Sequence, residues 1–416
     1  MLAALTGYVL LQGVVPALSR LDTDFPNYFI AARIVRDGQD TTRLYDDSWF
    51  QQQMRSNGVG SEGKFAPFPP PTALLLVPLA HFTPLGALRV VTVVNVLCLL
   101  LSMVVLVRML GWHPIDAALF VLSSFTALIS GLRFGQPYIV VSTCCLLGYY
   151  LHLRGKSWLA GGVLGLFVPI KYYPVIVLAV AAWVRAWKVL GGAALVILAI
   201  SVASIGLLGW KIHETFLLSV LGNHLIGLLS LQDRTVPYSS VYQSFDTLFN
   251  RLFIFDPIWN PRPMVAAPLL GVLGLAATKA AILLTTAAIL IRLGRNGAAQ
   301  AAAPSIGLLG IVALLVAPAT ATYTFVLLWL PVALLMDYFL AQRDRTAAYF
   351  ILGTYVLIGF IPYGFTRPFE GRGGLTVLAY PRLYVLLAMF IACVYFIARP
   401  RRDEPDASLF ASAERR

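Results

Sequence analysis

Long apolar stretches recur along this sequence, and most are long enough to cross a membrane. Of its 416 residues, 59% are hydrophobic and only 12% are charged. A transmembrane helix needs about 20 apolar residues to cross a hydrocarbon core roughly 30 Å thick. A membrane β-barrel would instead show short segments of alternating hydrophobicity. The sequence therefore predicts an all-α polytopic membrane protein.

The apolar stretches divide into about twelve expected transmembrane helices, within a range of roughly ten to thirteen. The expected spans are residues 1–18, 84–108, 115–131, 137–153, 158–170, 174–187, 189–210, 264–291, 301–318, 325–341, 347–362 and 381–398. The fifth and sixth are short, so we expect them to be tilted or broken. The first lacks a basic segment before it, which favours a retained helix over a removed signal peptide.

Basic residues mark one side of the expected membrane topology. Short loops with Arg or Lys alternate with longer loops, and basic loops normally face the cytoplasm. The basic loops contain Arg108, Arg154, Lys156, Arg185, Lys188, Arg292, Arg295, Arg343 and Arg345. We therefore expect a cell-membrane protein with both termini cytoplasmic. Membrane topology accounts for the net charge of +12, so we expect no nucleic-acid partner.

Three long polar segments lie on the opposite side, at about residues 19–83, 211–263 and 363–380. Loops of this length usually carry function. We expect them to be extracytoplasmic and to contain short interfacial helices. The chain is then one transmembrane domain over residues 1–398, followed by a cytoplasmic basic tail over residues 399–416.

Asp24 lies just after the first expected span and is the first candidate for catalysis. A partly desolvated carboxylate at a membrane surface can act as a general base. Alternatively, Asp24 caps the helix that Pro26 helps to start. Asp22 and Asp24 also form a D-x-D pair, but three residues are too few to predict a metal site. No metal ligand set is predicted.

The segment at residues 64–86 combines a proline cluster with a short apolar stretch. About ten apolar residues cannot span a bilayer. We expect this piece to lie in the interface or to re-enter the membrane. An amphipathic surface helix is the alternative.

Single cations stand at the outer ends of several spans and in the outer loops. They are Arg133, Lys171, Arg234, Arg251, Arg367, Arg372 and Arg382. Inward-facing cations near a membrane need a partner, and a phosphate is a suitable one. The alternative is that they reach outward to lipid headgroups. Together they favour an anionic ligand.

Several motifs, taken in order, resemble glycosyltransferase family 87, the polyprenyl-phosphate-mannose-dependent α-mannosyltransferases. The motifs are DFPNYFIAARIVRDGQ, LYDD, FPPPTALLLVPLA, GLRFGQPYIVV, LAGGVLGLFVPIKYYPVIVL, VYQSFDTLFNRLF and APATATYTFVLLWLPVALL. The resemblance implies a C-type membrane glycosyltransferase fold. It also implies inverting transfer of a sugar, mannose first, from a polyprenyl phosphate to a lipid or glycan acceptor outside the cytoplasm. No cofactor is implied.

The resemblance also implies roles for individual residues. Asp24 matches the catalytic base, with Asp22 as the fallback. The expected phosphate-binding residues are Lys171, Arg133, Arg367, Arg382 and Arg251. The expected substrate-binding residues are Tyr28, Tyr45, Asp46, Gln136, Tyr172 and Tyr323. Many family members carry a histidine pair where this chain has Tyr323 and Thr324, which leaves the donor sugar and the linkage open.

A transporter or flippase of a lipid-linked sugar is the competing function. Transporters usually place ionisable residues near the bilayer midplane and contain inverted repeats. Here the charges gather at one face, with Lys279 as an exception inside a span. We therefore favour glycosyl transfer. Another lipid-linked transferase, such as a ligase, is a third reading.

Overall fold

The structure is a computed structural model that describes residues 1–22, 24–222, 238–295 and 297–399. Arg234 and the basic tail from residue 400 onward lie outside the described residues. Regular structure in the described ranges is helical, with one isolated β-bridge between Asp256 and Asn260. This agrees with the expected all-α class.

The helices follow one another along the chain, with short 3₁₀ and π segments between or within them. They are α1 (Leu2–Ser19), α2 (Phe25–Arg36), α3 (Asp47–Ser56), α4 (Pro84–Leu110), α5 (Pro114–Leu122), α6 (Phe125–Arg133), α7 (Tyr138–Leu153), α8 (Ser157–Gly165), α9 (Val175–Trp183), α10 (Trp187–Leu208), α11 (Trp210–Thr215), α12 (Phe245–Phe253), α13 (Pro268–Gly294), α14 (Ala298–Val316), α15 (Trp329–Ala341), α16 (Arg345–Phe360) and α17 (Pro381–Ala398). The 3₁₀ segments are Thr41–Arg43, Pro70–Leu74, Val77–Leu79, Thr322–Leu328, Tyr363–Phe369 and Gly373–Ala379, and the π segments are Leu10–Val14, within α1, and Phe216–Leu221.

Six helical segments in the described ranges are long and apolar enough to cross a membrane. They are α1, α4, α10, α13, α17 and Thr322–Ala341, which joins a 3₁₀ segment to α15. Large apolar side chains such as Leu97, Leu198 and Leu284 are mostly exposed on them, as lipid-facing residues are. The chain is therefore a polytopic membrane protein.

The expected number of about twelve spans is not confirmed and stays a prediction. Helices α5 and α6 are together long and apolar enough for one more span, but a bend of 69° separates them. Helices α7 and α16, and the segment Gln300–Val316 of α14, are apolar but shorter than the six. All of them lie at positions where the sequence predicts spans.

The fifth and sixth expected spans are the short helices α8 and α9, of nine residues each. At 1.5 Å per residue, each covers only about half of a hydrocarbon core. Lys171 lies in the turn between them. Helix α8 is held against α10 by close backbone contact, because a Cβ at Gly192 would collide with the carbonyl oxygen of Trp158. This packing fixes the position of the turn that carries Lys171.

The segment between α1 and α4, residues 24–83, is a compact cap with its own hydrophobic core. Phe25, Phe29, Phe50 and Phe65 are fully buried in it. The apolar piece at residues 70–79 forms two short 3₁₀ turns, and its first part is buried in the same core. A packed cap can hold side chains rigidly, as a flexible loop cannot.

Lys279 lies within α13 and pairs with Asp246 of α12, with Nζ at 2.9 Å from Oδ1. Both side chains are mostly buried. A charge inside a membrane helix is costly unless it is paired. The pair therefore satisfies Lys279 and fastens α12 to α13.

Candidate functional site

Asp24 immediately precedes α2, where the cap meets the turn that carries Gln136. The helix starts there because Pro26 suits the first turn, and Phe25 and Phe29 bury its face. Within the described part of the chain, the Asp24 side chain makes no capping hydrogen bond to α2. Its carboxylate is therefore directed to contacts other than the helix cap.

A hydrogen-bond chain reaches the Asp24 carboxylate through two buried residues. The Tyr28 hydroxyl donates to Oε1 of Gln136 over 2.8 Å, and Nε2 of Gln136 donates to Oδ2 of Asp24 over 2.7 Å. Tyr28 and Gln136 are 1% and 2% exposed. The Asp24 carboxylate fixes which end of the amide faces it, since it only accepts hydrogen bonds and a flipped amide would set an oxygen against it. The Tyr28 hydroxyl, which can donate or accept, then donates to the amide oxygen.

The turn after α6 brings Gln136 to this position. Gly135 has a φ of +58°, a conformation that glycine adopts at little cost. A Cβ at Gly135 would come within 2.7 Å of Phe25 and 2.8 Å of Leu88. The glycine thus allows the turn to approach the cap closely enough for Gln136 to reach Asp24.

Lys171 lies among three aromatic rings beside Asp24. Its Nζ is 4.5 Å from the ring centroid of Phe68, 4.9 Å from that of Tyr138 and 5.5 Å from that of Tyr28. Aromatic faces attract a cation at these distances. Burial lowers the pKa of Lys171 to about 7, and the Asp24 carboxylate opposes this shift. The lysine therefore titrates near neutral pH.

Tyr323 borders the same cluster. Its ring stacks on Tyr138 with centroids 5.4 Å apart and meets Phe134 edge-on. The hydroxyl of Thr324 instead donates to the backbone oxygen of Ala321. Of the two residues at the family's histidine positions, Tyr323 is thus the one next to the cluster.

Arg133 and Asp22 pair with each other near Asp24. Nε and Nη2 of Arg133 lie 3.1 and 3.0 Å from the same Oδ2 of Asp22. Arg20 approaches Asp22 only to 3.9 Å. The charge of Arg133 is therefore already balanced by a carboxylate.

Tyr45, Asp46 and Tyr172 occupy different places around the cap. The Tyr45 hydroxyl donates to the backbone oxygen of Phe68 over 2.7 Å and so supports the ring nearest to Lys171. The Asp46 carboxylate caps α3, and bonds from Ser48, the Trp49 N–H and Arg43 lower its pKa to about 2. Tyr172 is half exposed beside Lys171.

The remaining three arginines have contacts outside the Asp24–Lys171 cluster. Arg251 donates from Nη1 to the backbone oxygen of Trp259 over 2.8 Å. Arg367 and Arg382 line a separate cavity of about 130 Å³. The expected cations therefore do not converge on one point.

Two residues of the Lys171 cluster, Phe68 and Tyr138, were not predicted as site residues. Both lie in the motifs FPPP and GQPY. Their contact with Lys171 depends on the folded cap, so motif matching alone could not assign it. In the described ranges, no three His, Cys, Asp or Glu side chains gather as a metal site would require.

Comparison with known proteins supplies the family. The model of glycosyltransferase family 87 matches residues 65–318. Searches of the curated proteins and of the solved structures found no match. The matched region contains Phe68, Gln136 and Lys171, whereas Asp24 precedes it and Tyr323 follows it. Since the match spans more than half of the 416 residues, the chain belongs to glycosyltransferase family 87.

Proposed function

We propose that this membrane glycosyltransferase moves a sugar from a polyprenyl phosphate to a lipid or glycan acceptor, with inversion at the anomeric carbon. Mannose is the sugar that we favour. The reaction takes place at the extracytoplasmic face of the cell membrane, in a C-type fold with both termini cytoplasmic. The observation that carries the proposal is the cluster of Asp24, Gln136 and Lys171.

Asp24 is the general base in this proposal. The acceptor hydroxyl gives its proton to the Asp24 carboxylate, and its oxygen attacks the anomeric carbon of the donor. The bond from that carbon to the phosphate oxygen breaks, and the bonding electrons leave with the polyprenyl phosphate. A carboxylate has about four lone-pair positions, so the Gln136 bond can orient Asp24 while the carboxylate accepts a proton.

Lys171 is the cation that stabilises the departing phosphate. Negative charge grows on the phosphate oxygens as the bond breaks, and a preorganised ammonium lowers the energy of that state. The aromatic cluster around Lys171 holds the ammonium in a fixed place. Tyr323, which stacks on Tyr138, contacts the sugar or its phosphate in this proposal. Family membership supports this enzymatic function over the transporter alternative.

The test is sugar transfer by the purified protein in lipid nanodiscs. A panel of labelled polyprenyl-phosphate sugars is offered with extracted membrane lipids, and the anomeric configuration of the product is determined by NMR. We expect transfer from the mannose donor with inversion. Asp24→Asn should lower the rate about 10³-fold, because general-base catalysis contributes about 10²–10⁴-fold.

The matched control is Asp116→Asn, which removes an exposed carboxylate at the start of α5. It should keep wild-type activity. Full activity in Asp24→Asn would move the base to another residue. Movement of the donor between the leaflets of reconstituted vesicles, without any transfer product, would favour the flippase.

A further inference from the structure

A polar cavity lies close to the Asp24–Lys171 cluster. It has a volume of about 130 Å³. Its walls are Ser239, Ser240, Val241, Thr322, Thr366, Arg367, Glu370 and Arg382. These residues come from four separate segments, so the cavity forms only when two loop segments meet the first residues of Thr322–Ala341 and of α17.

Gln243 holds three of these segments in place. It is fully buried, and its Nε2 donates to the backbone oxygens of Ser240 and Ala379. Its Oε1 accepts from the backbone N–H of Arg382, and its own N–H donates to the backbone oxygen of Thr320. A buried amide with all these bonds satisfied fixes the walls of the cavity.

The Arg382 side chain is a fixed charge in this wall. It is 2% exposed and donates to the backbone oxygens of Ile358 and Ile361 at the end of α16. It also donates to the Thr126 hydroxyl over 3.1 Å. Arg367 is exposed and lies in the same wall. The cavity thus combines an anchored guanidinium with an accessible one.

The other polar groups of the cavity suit hydroxyl groups of a ligand. Glu370 accepts a hydrogen bond from the Ser240 hydroxyl, and Ser239, Thr322 and Thr366 add further hydroxyls. Carboxylates and hydroxyls bind the hydroxyl groups of sugars, whereas guanidinium groups bind oxyanions. Two guanidinium groups against one carboxylate leave an excess of positive charge.

The cavity and the catalytic cluster both contain a residue of the 3₁₀ segment Thr322–Leu328. Thr322 lines the cavity, and the next residue, Tyr323, stacks on Tyr138 beside Lys171. Residues 322 and 323 therefore connect the cavity wall to the cluster that contains Tyr138 and Lys171.

We infer that this cavity binds the polar headgroup of the acceptor, a hydroxyl-rich group that carries an oxyanion, and that Arg367 selects anionic acceptors. The inference rests on the proposed function. In that function the donor has one phosphate, attached to the reacting carbon and therefore next to Lys171. The cavity with Arg367 and Arg382 is then available to the other substrate, the acceptor. This assigns Arg367 and Arg382 to the acceptor, in place of the donor phosphate expected from the sequence.

The test compares two synthetic acceptors that differ only in charge, an alkyl glycoside and the same glycoside bearing a phosphodiester. Wild-type protein should show a lower KM for the charged acceptor. Arg367→Ala should raise that KM about 10-fold or more, since a hydrogen bond to a charged group contributes about 1.5–3 kcal/mol. The KM for the uncharged acceptor and for the donor should change less than about 2-fold.

The matched control is Arg372→Ala, which removes an exposed arginine from the same loop but outside the cavity. It should leave both acceptor KM values unchanged. A rise in the donor KM of Arg367→Ala, with the acceptor KM unchanged, would show that Arg367 binds the donor phosphate, and would overturn the inference.

A binding measurement separates this inference from the proposed function. Thermal stabilisation of the protein in nanodiscs is recorded with each acceptor in the absence of donor. Preference for the charged acceptor in wild type, lost in Arg367→Ala, supports the cavity assignment even if no transfer occurs. Equal stabilisation by both acceptors overturns the assignment, and transfer from a polyprenyl-phosphate sugar would then still support the enzyme.

Discussion

Gln136 donates a hydrogen bond from Nε2 to Oδ2 of Asp24 over 2.7 Å, and its Oε1 is held by the Tyr28 hydroxyl. Both Gln136 and Tyr28 are almost completely buried. They are therefore placed to position the carboxylate and have little surface with which to touch a substrate. The sequence predicted substrate binding for both, and the geometry favours a positioning role.

Gln136→Ala should lower kcat about 10- to 100-fold with little change in KM for either substrate. The reason is the loss of a hydrogen bond to a charged group, which contributes about 1.5–3 kcal/mol. Tyr28→Phe should have a smaller effect, because the Gln136 bond to Asp24 remains possible. Steady-state kinetics with the polyprenyl-phosphate donor measure both variants.

The control for Gln136 is Gln342→Ala, an exposed glutamine after α15, which should behave as wild type. A positioning role also predicts that Gln136→Asn moves the pH profile of kcat while the protein stays folded. An effect of Gln136→Ala confined to KM would instead support direct contact with a substrate.

The activity should fall as pH rises through about 7. Burial lowers the pKa of Lys171 to about 7, so the ammonium is present below that pH and is lost above it. The uncharged amine cannot stabilise the departing phosphate. A profile of kcat/KM from about pH 5 to pH 9 should therefore show a basic limb near 7.

Two variants test whether that limb belongs to Lys171. Lys171→Arg keeps its charge at all these pH values, so the limb should disappear even though the rate is lower. Phe68→Leu removes the nearest ring, at 4.5 Å. It should move the limb to lower pH by roughly 0.4–1.5 units, since a cation–π contact contributes about 0.5–2 kcal/mol. An unchanged limb in Lys171→Arg would assign it to another group.

Asp22→Asn should keep most of the activity, within about 5-fold of wild type. Asp22 already accepts two bonds from Arg133, and partly exposed ion pairs contribute roughly 1 kcal/mol or less to stability. The control is Asp37→Asn, which breaks the comparable Arg36–Asp37 pair on the cap. Loss of activity equal to that of Asp24→Asn would identify Asp22 as the base.

Much of the helical pattern was predictable, because apolar length alone marks a membrane helix. Helices α4, α10 and α17 begin and end within a few residues of the expected spans. The shortness of the fifth and sixth spans was also predicted, and they are the nine-residue helices α8 and α9. Apolar composition does not report how α8 packs against α10, because that contact is made by backbone atoms of two separate segments.

The site was predictable only in part. Asp24, Gln136 and Lys171 stood out from the sequence as polar groups in motifs that resemble the family. The residues that surround those groups could not be recognised in the sequence, because they come from distant parts of the chain. Phe68 reaches Lys171 across more than one hundred residues of sequence. The separation of Arg367 and Arg382 from Lys171 likewise follows from how their segments pack, which no local pattern encodes.

Gly192→Ala should destabilise the protein and reduce its activity, although alanine is the better helix former. A Cβ at Gly192 would collide with the carbonyl oxygen of Trp158 in α8. Overpacking at such a contact costs about 1–3 kcal/mol, and displacement of α8 would also move the turn that carries Lys171. Thermal unfolding in detergent and sugar transfer measure the two effects.

Gly206→Ala on the same helix is the matched control. No atom lies within 4 Å of the position that its Cβ would occupy. Glycine in a helix costs about 1 kcal/mol relative to alanine, so Gly206→Ala should be neutral or slightly stabilising and fully active. Equal unfolding temperatures for the two variants would contradict close contact between α8 and α10. If Gly192→Ala lowers both the unfolding temperature and the rate of sugar transfer, and Gly206→Ala lowers neither, the position of Lys171 depends on that contact.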